Sequence, residues 1–165
     1  MRKILFFVIV VALSGCGILM DLPTPQLEGK MLQKVSDSID KDDGAIIYTH
    51  IGVWFPETNV SDGIMSRKPA IRGYVVITER SLLFQQWGGA TGLTTIKRVP
   101  LAEIKEVSSI DYTGLFSIRT VSDNYDSFMA TGGEDGSFPD SGSNNKMNKL
   151  LSELTNKLNL PSAQK

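Results

Sequence analysis

The sequence predicts a mainly β domain, a seven-stranded antiparallel barrel or sandwich capped by one C-terminal α-helix. Three observations carry this. From Gly44 to Ala130 the chain is a run of short segments rich in β-branched and aromatic residues, separated by glycine, proline and polar clusters. Most of these segments are joined by short loops, which favours antiparallel neighbours over βαβ units. Beyond Asn145 the apolar period becomes helical and stays so to Leu158. At 165 residues, one domain with a real core is the default.

The N-terminal end differs from this middle. Met1-Arg2-Lys3 precedes ten uncharged, mostly large apolar residues, Ile4 to Leu13, and then Ser14-Gly15-Cys16. A basic start, a short apolar run and small residues form a secretory signal. Extending the run through Met20 gives 17 residues. A spanning helix wants about 20, so an uncleaved anchor is the competing reading. Leu13-Ser14-Gly15-Cys16 resembles the lipobox of bacterial lipoproteins. The resemblance implies cleavage between Gly15 and Cys16 and acylation of Cys16, whose thiol carries a thioether-linked diacylglycerol; a free buried Cys is the alternative. Gly17 and Ile18 lack the Asp that retains enterobacterial lipoproteins in the inner membrane. The resemblance therefore implies a lipid-anchored protein of the cell membrane, in the outer membrane facing the periplasm if the cell is Gram-negative. The mature chain would carry 15 basic against 18 acidic side chains.

Residues 17–29 read as a tether, with Pro23 and Pro25 favouring an extended path. Met31, Leu32, Val35 and Ile39 then fall near a helical stripe, ended by Asp42-Asp43-Gly44. This short helix is expected to pack on the domain, since three lysines against five acids suit a membrane-lying helix poorly. The expected division is signal 1–15, lipidated tether with a short helix 16–43, domain 44–160 and tail 161–165.

Strand candidates follow in order: Ala45 to Phe55, closed by Pro56; Ile71 to Thr78 and Leu82 to Trp87, a tight hairpin about Glu79-Arg80-Ser81; Thr94 to Val99; Glu106 to Tyr112; Leu115 to Val121; and Tyr125 to Ala130. A glycine- and serine-rich loop spans 131–145. Met147, Leu150, Leu151, Leu154 and Leu158 then form one apolar stripe that should lie on the barrel, with Ser143 or Asn144 as the helix cap. A partner-binding helix is the alternative.

Gly73-Tyr-Val-Val-Ile-Thr78-Glu-Arg-Ser-Leu82-Leu-Phe84 and Val99-Pro100-Leu101-Ala-Glu-Ile104-Lys-Glu-Val107 resemble two segments of the pleckstrin-homology-like (PH-like) fold, in particular its GRAM-type members. The resemblance covers roughly 44–160 and implies seven strands with a helix plugging the barrel. It implies no activity. The phosphoinositide-binding pattern of that fold, Lys, spacer, then Arg-x-Arg, is absent; Arg67, Lys68 and Arg72 are the candidates for contact with a headgroup or a partner.

Composition removes several other functions. The formal charge of −1 argues against nucleic acid, and one Cys with one His excludes an intramolecular disulfide and multi-ligand zinc. No G-x-S-x-G, P-loop, G-x-G-x-x-G or H-E-x-x-H occurs. His50 sits in a strand without a companion His. Glu134, Asp135 and Asp140 lie on a loop as calcium ligands often do, but off the EF-hand spacing. The sequence thus implies no cofactor, no catalytic residue and no metal. It points to a non-enzymatic, membrane-anchored binding or scaffolding module with an envelope protein partner. A small-ligand or lipid carrier is the alternative, and would need an internal cavity.

Overall fold

The computed structural model describes residues 29–58, 68–110, 114–132 and 138–159. The expected signal and tether up to residue 28, with Gly15 and Cys16, and Arg67, Glu134 and Asp135 lie outside them. The chain runs α1 (Lys30–Asp37), β1 (Ile46–Pro56), β2 (Ile71–Thr78), β3 (Ser81–Trp87), β4 (Leu93–Pro100), β5 (Ile104–Ile110), β6 (Leu115–Thr120), β7 (Tyr125–Gly132), a two-residue β8 (Phe138–Pro139) and α2 (Ser141–Asn159). The strands lie in the order β4-β3-β2-β1-β7-β6-β5, with β8 on β7. All pairings are antiparallel. The seven expected strands and the closing helix are all present.

β1 holds the sheet together because it is used twice. Its first half pairs with β2 alone; from Gly52 onward it pairs with β2 on one edge and β7 on the other. Gly52 stands opposite Gly73 of β2 at this crossing. A Cβ on Gly52 would meet the Met129 carbonyl oxygen at 2.7 Å, and one on Gly73 would meet the Gln85 carbonyl oxygen at 2.1 Å. Backbone therefore approaches backbone where a side chain would stand.

Strand alternation then sorts the residues. Val75, Ile77, Leu82, Phe84, Val99, Phe116, Ile118, Phe128 and Ala130 form the interior with Leu101 and Ile104. Phe128 links the rings, with its centroid 5.4 Å from Phe116 and 6.4 Å from Phe84. Met147 and Leu151 of α2, both fully buried, close this interior.

The opposite face of β2 and β3 is also covered. Tyr74, Val76 and Leu83 are buried beneath Val35 of α1, with Met31 and Ile39 beside them. The chain from α1 runs back along β3: the Lys34 ammonium lies 5.1 Å over the Trp87 ring, the Ser38 hydroxyl accepts from Gln85 at 2.8 Å, and the Arg80 N–H reaches the Asp43 carbonyl. The expected packing of this helix on the domain is thus observed, because Val35 and its neighbours complete a second small core.

Several details differ from expectation: β5 begins at Ile104 rather than Glu106, and the end of β7, β8 and the start of α2 fall within the expected 131–145 loop. α2 begins at Ser141, and its cap is Asp140 rather than Ser143 or Asn144: Ser143 donates its N–H to Asp140 Oδ1 at 3.0 Å and its hydroxyl to Oδ2 at 2.8 Å. The Asn144 amide instead bonds both backbone groups of Ala130, as a neighbouring strand would. Leu158 is 52% exposed, because the buried line along α2 ends at Thr155.

Gly73→Ala should lower stability by about 1–3 kcal/mol, since the added methyl must displace the β3 backbone. A urea titration with unchanged m-value reads the loss; an unshifted midpoint contradicts the close approach.

Candidate functional site

The end of the barrel away from α2 holds a polar group that sequence reading missed. Asp126, 2% exposed, points inward from β7. Its Oδ1 accepts the Trp54 indole N–H at 2.8 Å and the Glu57 N–H at 3.4 Å, and its Oδ2 meets the Lys97 ammonium at 2.6 Å. That ammonium also lies 5.6 Å from the centre of the Trp54 ring. Lys97 reaches inward because β4 bulges: Phe84 pairs with Lys97 but Gln85 pairs with Thr95. Ile96, the extra residue, packs against the interior. A carboxylate with this many donors is a satisfied structural anion, and its arrangement ties β1, β4 and β7 together at the mouth.

Two further pairs close the outside. Ser117 and Ser127 share a hydroxyl hydrogen bond at 2.7 Å, and the Ser127 hydroxyl also donates to the Thr58 carbonyl. Asp43, nearly buried, has the Arg98 guanidinium at 3.1 Å, and Arg98 also pairs with Asp40.

The residues singled out from sequence are dispersed. Lys68 forms an exposed ion pair with Glu57. Arg72 is exposed on β2, opposite Val53 of β1. Trp54 packs against the interior, and Trp87 packs in the second core under Lys34. The His50 Nδ1–H donates to the Ile51 carbonyl at 2.8 Å, and Nε2 stands 3.5 Å from Asp140 Oδ2. His50 therefore braces β1 against the cap of α2. Asp140 itself is held below the usual carboxylate range, first by the Ser143 N–H, then by the Ser143 hydroxyl, with His50 adding to this and burial opposing it. Each of its oxygens accepts from Ser143, while Glu134 and Asp135, the other acids of that loop, lie outside the described residues. Among the described residues no group of three His, Cys, Asp or Glu side chains is placed to hold a metal ion.

Burial pushes the Tyr74 phenol up to about 12, so it stays neutral beneath α1. A depression of about 230 Å³ lies on the outer side of α2, lined by Lys146, Lys149, Leu150 and Glu153. It is a surface feature, separate from the packed interior. Among the described residues no helix is long and apolar enough to cross a membrane.

Two outcomes check this description. Lys97→Met should cost about 3 kcal/mol by stranding a buried carboxylate, and adding Asp126→Leu should recover part of it; both are read from urea midpoints. Asp140, lowered in the folded state, contributes stability that is present above the unfolded carboxylate value of about 3.9 and is lost as pH falls through its folded value. Asp140→Asn keeps the cap and should flatten the fall in stability below about pH 4, compared by thermal melts across an acid series.

No protein-family model matches the sequence, and no curated protein matches it. Solved structures do match in shape. The N-terminally truncated linker-DH/PH domains of p115-RhoGEF align with a TM-score of 0.53 at 12% identity, covering 81% of this chain and 35% of that one. The DH/PH fragment of PDZRhoGEF in complex with human RhoA aligns with a TM-score of 0.51 at 16% identity, covering 68% and 29%. The Slm1 PH domain in complex with inositol 4-phosphate gives 0.46 at 14% identity, covering 67% and 96%. The chain thus spans about a third of the length of the two RhoGEF structures. The likeness is one of fold: the described residues form a mainly β, PH-like domain closed by a C-terminal helix.

Proposed function

We propose that this protein is a lipoprotein of the bacterial cell envelope, anchored through acyl chains on Cys16, whose PH-like domain is a non-catalytic binding or scaffolding module. The observation that carries the membrane half is Leu13-Ser14-Gly15-Cys16 behind a basic start and a ten-residue apolar run. Two or three acyl chains, at about 0.8 kcal/mol per buried CH₂, hold a protein on a bilayer without a spanning helix. The proposed location is the outer membrane, facing the periplasm, in a Gram-negative cell.

The module half is supported by how the described side chains are used. The interior is filled by aromatic and aliphatic residues, which disfavours the carrier alternative. His50 and Asp140 serve as braces and Asp126 as an internal anion. What such a domain offers is surface, and its proposed partner is another envelope protein. The mechanism is positional: lipid sets the place, the tether sets the reach and the domain presents the contact.

Cys16→Ser should move the protein from the membrane fraction to the soluble envelope fraction and abolish labelling by a clickable fatty acid. A variant that stays tightly membrane-bound contradicts the anchor and favours an uncleaved helix.

A further inference from the structure

The start of α2 is held by polar bonds gathered on Asp140. The Asp140 N–H donates to the Ala130 carbonyl at 2.9 Å, and the Asp140 carbonyl accepts both the N–H and the side-chain amide of Asn144. Its two carboxylate oxygens accept the Ser143 N–H and hydroxyl. Just ahead, β8 pairs with the end of β7, and Phe138 on β8 is 70% exposed. His50 brings β1 to this junction, from the half of the strand that pairs with β2 alone.

Only one neutral form of the His50 ring fits here. A carbonyl oxygen can only accept, so the 2.8 Å contact with Ile51 puts the proton of the neutral ring on Nδ1. Nε2 then carries a bare lone pair, and it faces a second acceptor, Asp140 Oδ2, at 3.5 Å. A lone pair set against a carboxylate is repelled. A proton on Nε2 turns the same contact into a charge-assisted bond. The separation exceeds an ordinary N–H···O distance of about 2.7–3.2 Å, which leaves room for that bond to close.

The surrounding charges are few. Lys146 of α2 lies 4.6 Å over Tyr48, whose ring stacks 6.3 Å from His50, and it opposes a second cation there. Across the pairing, β2 offers Val75. The β7–β8 pairing offers Thr131, Gly132, Phe138 and Pro139, none of which titrates. Glu79 stays at the start of β1, on the Ala45 N–H. Asp140 is the anion that His50 meets. The Ser143 bonds hold its carboxyl below the usual range, so it remains charged where imidazoles titrate. The two side chains are 24% and 35% exposed, so protons reach the pair while water screens it only in part.

We propose that His50 and Asp140 form a pH-sensitive latch, which fastens the start of α2 to β1 when His50 carries a proton and slackens when His50 is neutral. Closing the latch takes up a proton. It is therefore tight at the acid end of the imidazole range, about pH 5 to 8, and loosens as pH rises through that range. At still lower pH it fails again, as Asp140 takes up its own proton. A slackened Asp140 frees the fixed end of β8 and the exposed Phe138 ring upon it. The latch is independent of the lipid anchor proposed above.

The test uses the full chain in detergent micelles, where a single histidine makes the signal unambiguous. Nitrogen NMR of that ring should show Nδ1 protonated and Nε2 bare at about pH 8, and both protonated at about pH 5. A proton on Nε2 at the higher pH, or a bare Nε2 at the lower, overturns the latch. Protection factors of the Ser143 and Asn144 amides, measured against those of β3, should be about two- to fivefold higher at the lower pH, as suits a partly exposed ion pair. His50→Asn keeps a donor for the Ile51 carbonyl without a charge to gain, and Asp140→Asn removes the anion. Each should bring the ratio to about one. An unaltered chain that shows no such ratio, or a ratio that survives either substitution, also overturns the latch.

Discussion

The contact on which the rest of the structure depends is the crossing of β1 between its two neighbours at Gly52. β1 begins to pair with β2 and β7 together at Gly52, where a Cβ on Gly52 or on the facing Gly73 would run into neighbouring backbone. From there the order of every other strand follows by hairpins. The curvature turns Phe84, Phe116 and Phe128 toward one another. It also leaves an opening that Met147 and Leu151 fill from α2. Asn144 then fastens α2 to Ala130, the residue paired with Gly52. The closing helix and the crossing strand are thus two ends of one mechanical unit.

Much of this was legible in the sequence where one physical rule acts alone. The β2–β3 hairpin is plain because Thr78 and Ser81 bond each other across Glu79 and Arg80, and because apolar runs flank the pair. The run Tyr74 to Ile77 also held more than was read from it. Strands buried on one face alternate, whereas an unbroken apolar run is what burial on both faces produces. Here the second face is covered by α1. The polar cluster at the mouth was hidden for a different reason. A bulge at Ile96 breaks the period of β4 and turns Lys97 inward, and no local pattern pairs it with Asp126 some thirty positions on. Asp126 itself did leave a trace, as the one acid at an inward position of the alternating Asp126, Phe128, Ala130 series. Asp140 was ambiguous because caps and calcium loops draw on the same residue types; only the bonds from Ser143 separate them.

The two cores divide the labour between architecture and placement. The interior, with α2, is what relates the domain in shape to the DH/PH structures of p115-RhoGEF and PDZRhoGEF. The second core is smaller and lies where the chain arrives from its N-terminal side. A peripheral helix on the outside of a sheet adds little to the barrel. It decides instead where the connecting segment meets the domain.

That docking has a consequence for encounter rates. Under the anchor proposed at Cys16, 13 positions separate it from Gly29 while α1 is bound to the sheet, and 28 separate it from Gly44 once α1 is released. For coil-like chains in general, 13 residues give a root-mean-square span of about 20 Å and 28 residues about 30 Å. Because local concentration falls roughly as the −3/2 power of leash length, undocking α1 in the proposed anchored form would dilute the domain about threefold with respect to anything fixed at the membrane surface. Val35, wedged against Tyr74 and Leu83, is in this sense a length regulator: under the proposed anchor, a single buried methyl pair sets the volume that the domain explores.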